Sequence, residues 1–227
     1  MVTVLYKDNH CLALDKPAGL LSQGDETGEA TLVDWAREYL RKRYNKPGNV
    51  YVGLVHRLDR PVSGVVLLAR TSKAAGRLAE AFRKGKMEKV YWAVVEGKVP
   101  LEQGEWVDWL AKDAARNKSA SVVAGAPGSR EAITAFRVLE IGAGKTLLEL
   151  RPRTGRSHQL RVQASARGFP IVGDKKYGAV TRLLDARGRP RLALHARELT
   201  FDHPTRREAI SVSAPVPAGW PELSRPR

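Results

Sequence analysis

The sequence predicts an α+β fold, in which a mixed, mainly antiparallel sheet is flanked by helices. Short apolar runs rich in β-branched residues and bounded by Gly, Pro or Asn recur along the chain, as is typical of strands. Three segments carry apolar residues at helical spacing. We find no linker long enough to separate two globular parts. One domain is therefore expected over residues 1–227, with a Pro-rich tail at 215–227.

The charge balance points to a polyanionic partner. The chain has 39 Lys and Arg against 24 Asp and Glu, a net charge of +15. Such an excess predicts attraction to nucleic acid or to an acidic membrane face. The sequence has no apolar run of 18 residues and its N-terminus lacks the layout of a signal peptide, so membrane residence is not expected. The single cysteine, Cys11, excludes an internal disulfide and a cysteine-based zinc site and indicates a cytoplasmic protein.

The N-terminal part predicts two short strands and a helix. The strands, at 2–6 and 10–15, are joined by a polar turn. The helix starts after Thr31, a good N-cap, and ends near Pro47. Its predicted buried face comprises Leu32, Trp35, Ala36, Tyr39 and Leu40.

The central stretch, residues 51–70, carries the densest group of polar side chains. Apolar runs at 51–55 and 62–68 predict two buried strands, with the loop His56-Arg57-Leu58-Asp59-Arg60 between them. Asp59 is the only carboxylate of this loop. Its basic neighbours favour the ionised form, which suits a nucleophile better than a general acid. Composition alone favours the other interpretation, an Asp neutralised by structural arginines.

The rest of the chain predicts a second helix followed by strands. Ser72 is the expected N-cap of a basic helix whose Lys73, Arg83 and Lys84 are candidates for phosphate contacts. Strands are predicted at 88–99, around 106–110, at 131–141 and 145–152, near 191–204 and at 208–217, and a short helix from Gly155. Residues 112–130 are expected to form an exposed connection or a hairpin. The stretch GAGKT has neither the spacing nor the following helix of a phosphate-binding loop.

Residues 56–69, HRLDRPVSGVVLLA, resemble the catalytic motif of the RluA-type RNA pseudouridine synthases. Further stretches resemble the remaining motifs of that family, in the family's order. They are DKPAGLL (15–21), KVYWAVVEG (89–97), RPRTGRSHQLRVQ (151–163), GFPIVGDKKYG (168–178) and LHARELTFDHP (194–204). The chain departs from the family pattern at Val62, Ser157 and Gln163, which stand where Thr, Thr and His are common.

The resemblance implies a fold, a reaction and a set of site residues. It implies the pseudouridine synthase fold with a central cleft. The small N-terminal RNA-binding domain that many relatives carry is not expected here. The implied reaction is the isomerisation of uridine, with no cofactor. It assigns three residues to catalysis. Asp59 is the essential carboxylate, Tyr91 contacts the target base, and Arg161 pairs with the carboxylate.

The expected partner is structured RNA, either ribosomal or transfer RNA in a stem-loop. Candidate RNA contacts are His56, Arg57, Arg60, Arg156, His158, Lys73, Arg83 and Lys84. Arg57 or Arg60 could fill the gap that an extruded base leaves. The histidines lack metal-ligand spacing, so no metal site is predicted. No obligate protein partner is evident and a monomer is expected. The alternatives are a noncatalytic RNA-binding or RNA-chaperone protein on the same fold, and a different base-modifying enzyme.

Overall fold

The computed structural model describes residues 1–25, 28–185, 188–206 and 208–223. These residues form eleven strands and three α-helices, joined by turns and loops. The last four residues of the predicted Pro-rich tail, 224–227, lie outside them. In chain order the elements are β1 (Thr3–Lys7), β2 (Cys11–Lys16), α1 (Leu32–Arg43), β3 (Gly53–Leu54), β4 (Ser63–Ala69), α2 (Ser72–Arg83), β5 (Glu88–Glu96), β6 (Gln103–Asp113), β7 (Lys118–Val122), β8 (Arg130–Gly142), β9 (Lys145–Pro152), α3 (Gln159–Ala166), a 3₁₀ turn (Lys175–Tyr177), β10 (Leu194–Asp202) and β11 (Ala209–Ser213). These elements confirm the α+β prediction.

The chain divides into two compact units. Unit 1 comprises Met1–Glu88 and Ala196–Pro217, and unit 2 comprises Lys89–His195 and Ala218–Arg227. The prediction of a single domain over the whole chain stays a prediction. No helix of the described residues is long and apolar enough to cross a membrane.

The strands of unit 1 run in the order β1-β2-β4-β10, with β3 beside β4 and β11 beside β10. The pairs β1–β2, β2–β4, β3–β4 and β10–β11 are antiparallel. All seven residues of β4 are buried, as its continuous apolar run predicted. This buried strand leads directly from the polar loop at 56–61, so one end of the loop is fixed.

The first central strand is shorter than predicted. β3 covers only Gly53–Leu54, whereas the prediction covered 51–55. Where a longer strand would accept the N–H of Leu67 on β4, the side chain of His56 accepts it, with Nε2 at 2.8 Å. Because a side chain replaces the backbone carbonyl, the chain can leave the sheet one residue before the polar loop.

The helices of unit 1 begin at capping residues. Thr31 caps α1 through a capping box with Asp34, which confirms the predicted N-cap. α2 is capped by Thr71, whose hydroxyl accepts the N–H of Ala74, so the prediction of Ser72 was wrong by one residue. Either hydroxyl suits a cap, and the difference lies in which residue takes the extended backbone conformation.

The predicted buried face of α1 is partly correct. Leu32, Ala36 and Leu40 are buried. Trp35 and Tyr39 remain half-exposed and stack on each other, with ring centroids 5.3 Å apart. The stacked pair covers apolar ring faces without entering the core.

The strands of unit 2 run in the order β5-β9-β8-β6-β7, and each neighbouring pair is antiparallel. The β8–β9 hairpin turns at Ala143 and Gly144, which both have positive φ (49° and 69°), as a two-residue hairpin turn requires. The GAGKT stretch is therefore a hairpin turn followed by a strand. Residues 112–130 contain β7 and complete a second hairpin with β6, one of the two forms expected for this segment.

The third helix begins later than expected. α3 starts at Gln159 rather than near Gly155. The side chain of Gln159 accepts hydrogen bonds from the backbone of Arg156 and from the hydroxyl of Thr154, and His158 has φ 54°. These contacts hold residues 154–158 as a turn that precedes the helix.

Candidate active site

The loop that carries Asp59 is fastened to residues 16–22 by hydrogen bonds to the backbone of the loop. Gly19 N–H donates to Arg60 O at 2.7 Å. The hydroxyl of Ser22 donates to Leu58 O at 2.8 Å and accepts the N–H of Leu58 at 3.2 Å. Leu58 is buried, and Asp59 next to it is half-buried. The acid is therefore presented by a loop that is held on both sides.

Lys16 is a buried part of this support that the sequence analysis did not single out. Its side chain is fully buried, and Nζ donates to the carbonyls of Pro17, Leu20 and Arg60 at 3.1, 2.8 and 3.2 Å. Three acceptors match the three N–H donors of an ammonium group. Burial lowers the pKa of Lys16 to about 7, and the Asp59 carboxylate opposes that shift. Lys16 thus joins the two segments, and its amino group interacts electrostatically with Asp59.

His56 is an anchor of the same loop. Its Nε2 accepts the N–H of Leu67, and its ring stacks on Phe82 of α2 with centroids 4.3 Å apart. An Nε2 that accepts a backbone N–H carries no proton. The imidazole is therefore held on two sides within unit 1.

The two loop arginines differ in their surroundings. Arg60 donates through Nε to Gly19 O at 3.2 Å and through Nη2 to the Glu29 carboxylate at 2.7 Å. Arg57 is exposed and forms no hydrogen bond or ion pair with the residues that the structure describes. Of the two, Arg57 has the guanidinium available to a ligand.

Tyr91 and Arg161 both lie in unit 2. Tyr91 lies half-buried on β5, opposite Leu150 of β9. Arg161 is buried in α3 and forms a two-bond ion pair with Asp174, with Nε to Oδ2 at 2.7 Å and Nη2 to Oδ1 at 2.9 Å. Its guanidinium also lies over the ring of Tyr177, 5.0 Å from the centroid. The arginine is thus fixed in orientation by a planar pair and an aromatic face.

The neighbours of Arg161 were missed by the sequence analysis. Asp174 is 1% exposed and Tyr177 is 7% exposed, and both lie in the stretch 168–178 that resembles a family motif. An Asp between an apolar run and two lysines is a signal that could have indicated a buried ion pair. Its partner could not be read from the sequence, because it lies 13 residues away on a helix.

His158 and Gln163 hold α3 in place. His158 Nδ1 lies 2.7 Å from the hydroxyl of Tyr177, which accepts the N–H of Ser119. Gln163 is fully buried and its amide contacts the backbone of Trp106 and Ala132. The departure from the family pattern at residue 163 therefore places an amide where it bridges two strands.

The other candidate RNA contacts lie at the surface. Lys73, Arg83 and Lys84 are exposed on or next to α2, where Lys84 pairs with Glu80 at 2.7 Å. Arg156 donates through Nε to Glu131 O at 2.8 Å. These positions are accessible to a polyanion, and their role in binding stays a prediction.

Asp8, Cys11 and His203 come together in unit 1, with ligand atoms within 4.8 Å of one another. His203 Nδ1 accepts the backbone N–H of Arg206, so its Nε2 carries the proton and donates to Asp8 Oδ2 at 2.6 Å. Burial raises the pKa of the Cys11 thiol to about 12. This cluster is arranged as a hydrogen-bond network that joins two turns, and no local pattern in the sequence indicates it.

The chain has relatives among proteins of known family. The family model described as RNA pseudouridylate synthase matches residues 10–166. A tRNA pseudouridine synthase C of Haemophilus ducreyi is 36% identical over 97% of this chain and 93% of its own length. A ribosomal large subunit pseudouridine synthase D of Xanthomonas campestris is 38% identical over 95% of this chain and 66% of its own length.

Solved structures show the same fold. Human RNA Pseudouridylate Synthase Domain Containing 4 superimposes with a TM-score of 0.79 at 25% identity, over 96% of this chain and 89% of that chain. Human RNA Pseudouridylate Synthase Domain Containing 1 gives 0.73 at 27% identity, over 96% of this chain and 84% of that one. The resemblance read from the six motifs is confirmed. The chain belongs to the RNA pseudouridylate synthase family and is an RNA pseudouridine synthase.

Proposed function

We propose that this enzyme isomerises specific uridines in structured ribosomal or transfer RNA, with Asp59 as the essential carboxylate. The observation that carries the proposal is the match of residues 56–69 to the family's catalytic motif, in a loop fastened by Lys16, Ser22 and His56. A carboxylate that takes part in covalent or proton-transfer chemistry must be held in a fixed position. This loop provides that support within unit 1.

The reaction requires no redox step. The bond between ribose C1′ and N1 of uracil breaks, the base turns, and C1′ bonds to C5, which loses its proton to water while N1 gains one. The Asp59 carboxylate either attacks the substrate as a nucleophile or removes a proton from the sugar to assist departure of the base. In both routes it acts as the ionised carboxylate, and Lys16 lies close enough to interact with it electrostatically.

Tyr91 and Arg161 complete the proposed site by their match to the family motifs. Tyr91 is proposed to contact the target base and to assist the final removal of the C5 proton. Arg161 is proposed to pair with the essential carboxylate. The support for this role is the fixed orientation of its guanidinium, which Asp174 and Tyr177 hold.

The substrate is proposed to be a compact stem-loop, recognised by the shape and charge of its backbone. The net charge of +15 supports strong attraction to phosphate. Arg57 and Arg60 of the loop, Arg156 and His158 of unit 2, and Lys73, Arg83 and Lys84 at α2 are the proposed contacts. We also propose that the enzyme acts in the cytoplasm, as a monomer.

Release of tritium from C5 of uracil tests the proposal directly. Transcripts of transfer RNA and ribosomal RNA fragments carrying that label are incubated with the wild type, with Asp59→Asn, and with Asp202→Asn, an exposed acid on β10. We expect release by the wild type and the Asp202 variant, and background release by Asp59→Asn with unchanged RNA binding. Release by Asp59→Asn at the wild-type rate would contradict the assignment, and the responding transcript identifies the class of RNA.

A further inference from the structure

Two cations of unit 2 lie beside one turn without an acidic partner. Lys89, half-buried on β5, donates through Nζ to Thr154 O at 3.0 Å. Arg156 donates through Nε to Glu131 O at 2.8 Å. Neither side chain forms an ion pair with any residue that the structure describes. Both are held by neutral carbonyl oxygens, which leave their charge uncompensated.

Both side chains keep donors for another acceptor. An ammonium group has three N–H donors and a guanidinium has five, and the contacts to described residues use one of each. A group with two acceptor oxygens could bond to the guanidinium and the ammonium at once. Each backbone phosphate of an RNA offers two such oxygens.

The turn between these cations is rigid. Thr154 Oγ1 accepts the N–H of Ile133 at 2.9 Å and donates to Gln159 Oε1 at 2.8 Å. The same Oε1 accepts the backbone N–H of Arg156 at 3.0 Å, and Gln159 is 4% exposed. The carbonyl that holds Lys89 is therefore fixed by a closed hydrogen-bond network. The site exists before any ligand arrives.

Burial disfavours the charged form of Lys89. Burial, and to a smaller extent the positive charge of Arg156, lower the pKa of Lys89 to about 8. Arg156 is the charged group acting on it from the turn, and Glu88 precedes it on β5, on the opposite face of the strand. No described carboxylate offsets the cost of placing these two like charges together. An anion bound here would remove that cost.

We propose that Lys89 and Arg156 form a binding site for one backbone phosphate of the RNA, next to the target nucleotide. The location follows from β5, where Lys89 and Tyr91 lie two residues apart on the same face, about 6.8 Å along the strand. A base in contact with Tyr91 brings an adjoining phosphate within reach of Lys89. This inference rests on the proposed function, because it uses Tyr91 as the residue that contacts the base.

The site makes RNA affinity depend on pH in a way that identifies Lys89. The bound phosphate favours the charged amine, so affinity is full below pH 8 and falls as pH rises through the pKa of the free enzyme. One proton is linked to binding, which gives at most about a tenfold loss of affinity per pH unit. Lys16, whose pKa is lowered to about 7, also titrates in this range, so the part of the slope that belongs to Lys89 is the part that a substitution of Lys89 removes.

The test measures the Kd of a fluorescent stem-loop transcript by anisotropy from about pH 6.5 to 8.8, at constant salt, in the Asp59→Asn background. Lys89→Met should weaken binding at pH 7 and reduce the slope above that pH, and it should reduce the dependence of log Kd on log salt by about 1. Lys89→Arg should keep the affinity and lose the same part of the slope. Lys98→Met, which removes an exposed charge after β5, should behave as the parent.

A neutral methylphosphonate at single positions of the RNA identifies the phosphate. At one position it should weaken binding by the parent and by Lys98→Met, but not by Lys89→Met, and where label release has identified the target uridine that position should flank it. The inference is overturned if Lys89→Met and the parent share the same Kd and slope, or if no position distinguishes them. The transcript is chosen by its affinity and not by turnover. If the wild type released no label, the proposed function would be overturned, whereas the binding measurements on Lys89 would still stand.

Discussion

Arg161 and Asp174 form a buried, two-bond ion pair in unit 2, with side chains that are 8% and 1% exposed. Such a pair rarely adds stability over apolar residues of similar volume, whereas removing one partner leaves an uncompensated buried charge. The role proposed for Arg161 would explain why the pair is kept. We propose Asp174 as a positioning residue that fixes the orientation of the guanidinium.

Asp174→Asn should lower the free energy of unfolding by about 3–5 kcal/mol, because it breaks one buried, two-bond ion pair of Arg161. The double variant Arg161→Met/Asp174→Leu should recover most of that stability and remain inactive. Urea unfolding and label release measure the two properties separately. Activity in the double variant near that of the wild type would show that Arg161 has no role in the reaction.

His56 should act as an anchor of the loop rather than as an RNA contact. His56→Leu removes the acceptor for Leu67 N–H and leaves that buried donor unpaired, at a cost of about 1–3 kcal/mol. We expect kcat to fall with little change in KM. His56→Gln, which places an amide oxygen near the position of Nε2, should restore much of kcat. A rise in KM alone, unrelieved in the Gln variant, would favour direct contact with RNA instead.

Arg57 and Arg60 should differ in their effect on structured RNA. Arg57 has an available guanidinium, so Arg57→Ala should reduce label release from a folded stem-loop more than from a single strand. Arg60 contacts Gly19 and Glu29, so Arg60→Ala should disturb the loop and reduce release from both RNAs alike. Equal losses on both RNAs for Arg57→Ala would remove base extrusion as its role.

Gly64 is required by its backbone. Its φ is 115°, and a Cβ at this position would lie 2.3 Å from Ala196 O and 2.6 Å from Ala196 N. Gly64→Ala should therefore destabilise unit 1 by several kcal/mol, at the upper end of single substitutions, on the order of 4 or more. The matched control is Gly76→Ala in α2, where a Cβ meets nothing within 4 Å and a gain of about 0.5–1 kcal/mol is expected. Thermal unfolding compares the two, and similar melting temperatures would contradict the steric argument.

The sequence predicted most elements because periodicity and turn chemistry act locally. β4, the β8–β9 hairpin and the Thr31 cap follow from patterns within about ten residues. The loop that carries Asp59 was also found, since its motif is contiguous. The early end of β3 was missed because a side chain, that of His56, closes the ladder. No local pattern records such a contact.

Buried charges were the larger omission. Lys16 and Asp174 are almost wholly buried, although both types of residue are usually exposed. Asp174 is stabilised by the guanidinium of Arg161, and Lys16 by one distant carbonyl, that of Arg60, together with the nearby carbonyls of Pro17 and Leu20. The fold creates these pairings, so only the unusual position of a charge beside apolar residues could have indicated them.

Asp8 should make the stability of unit 1 depend on pH at the acidic end. Burial alone would raise its pKa, but hydrogen bonds from the N–H groups of His10 and Cys11, from Tyr6 and from His203 lower it below the ordinary value of 3.8. A carboxyl whose pKa is lowered in the folded state contributes stability above its unfolded pKa, and that contribution is lost as pH falls through the folded pKa.

Asp8→Asn removes this titration while it keeps one oxygen for the turn. We therefore expect the urea midpoint of the wild type to fall more steeply than that of Asp8→Asn from about pH 5 to 2.5, with the two curves converging at the acidic end. Asp202→Asn, the exposed control on β10, should follow the wild type. Parallel curves for wild type and Asp8→Asn would show that the ionised carboxylate of Asp8, which lies 2.6 Å from His203 Nε2, does not contribute to the stability of unit 1.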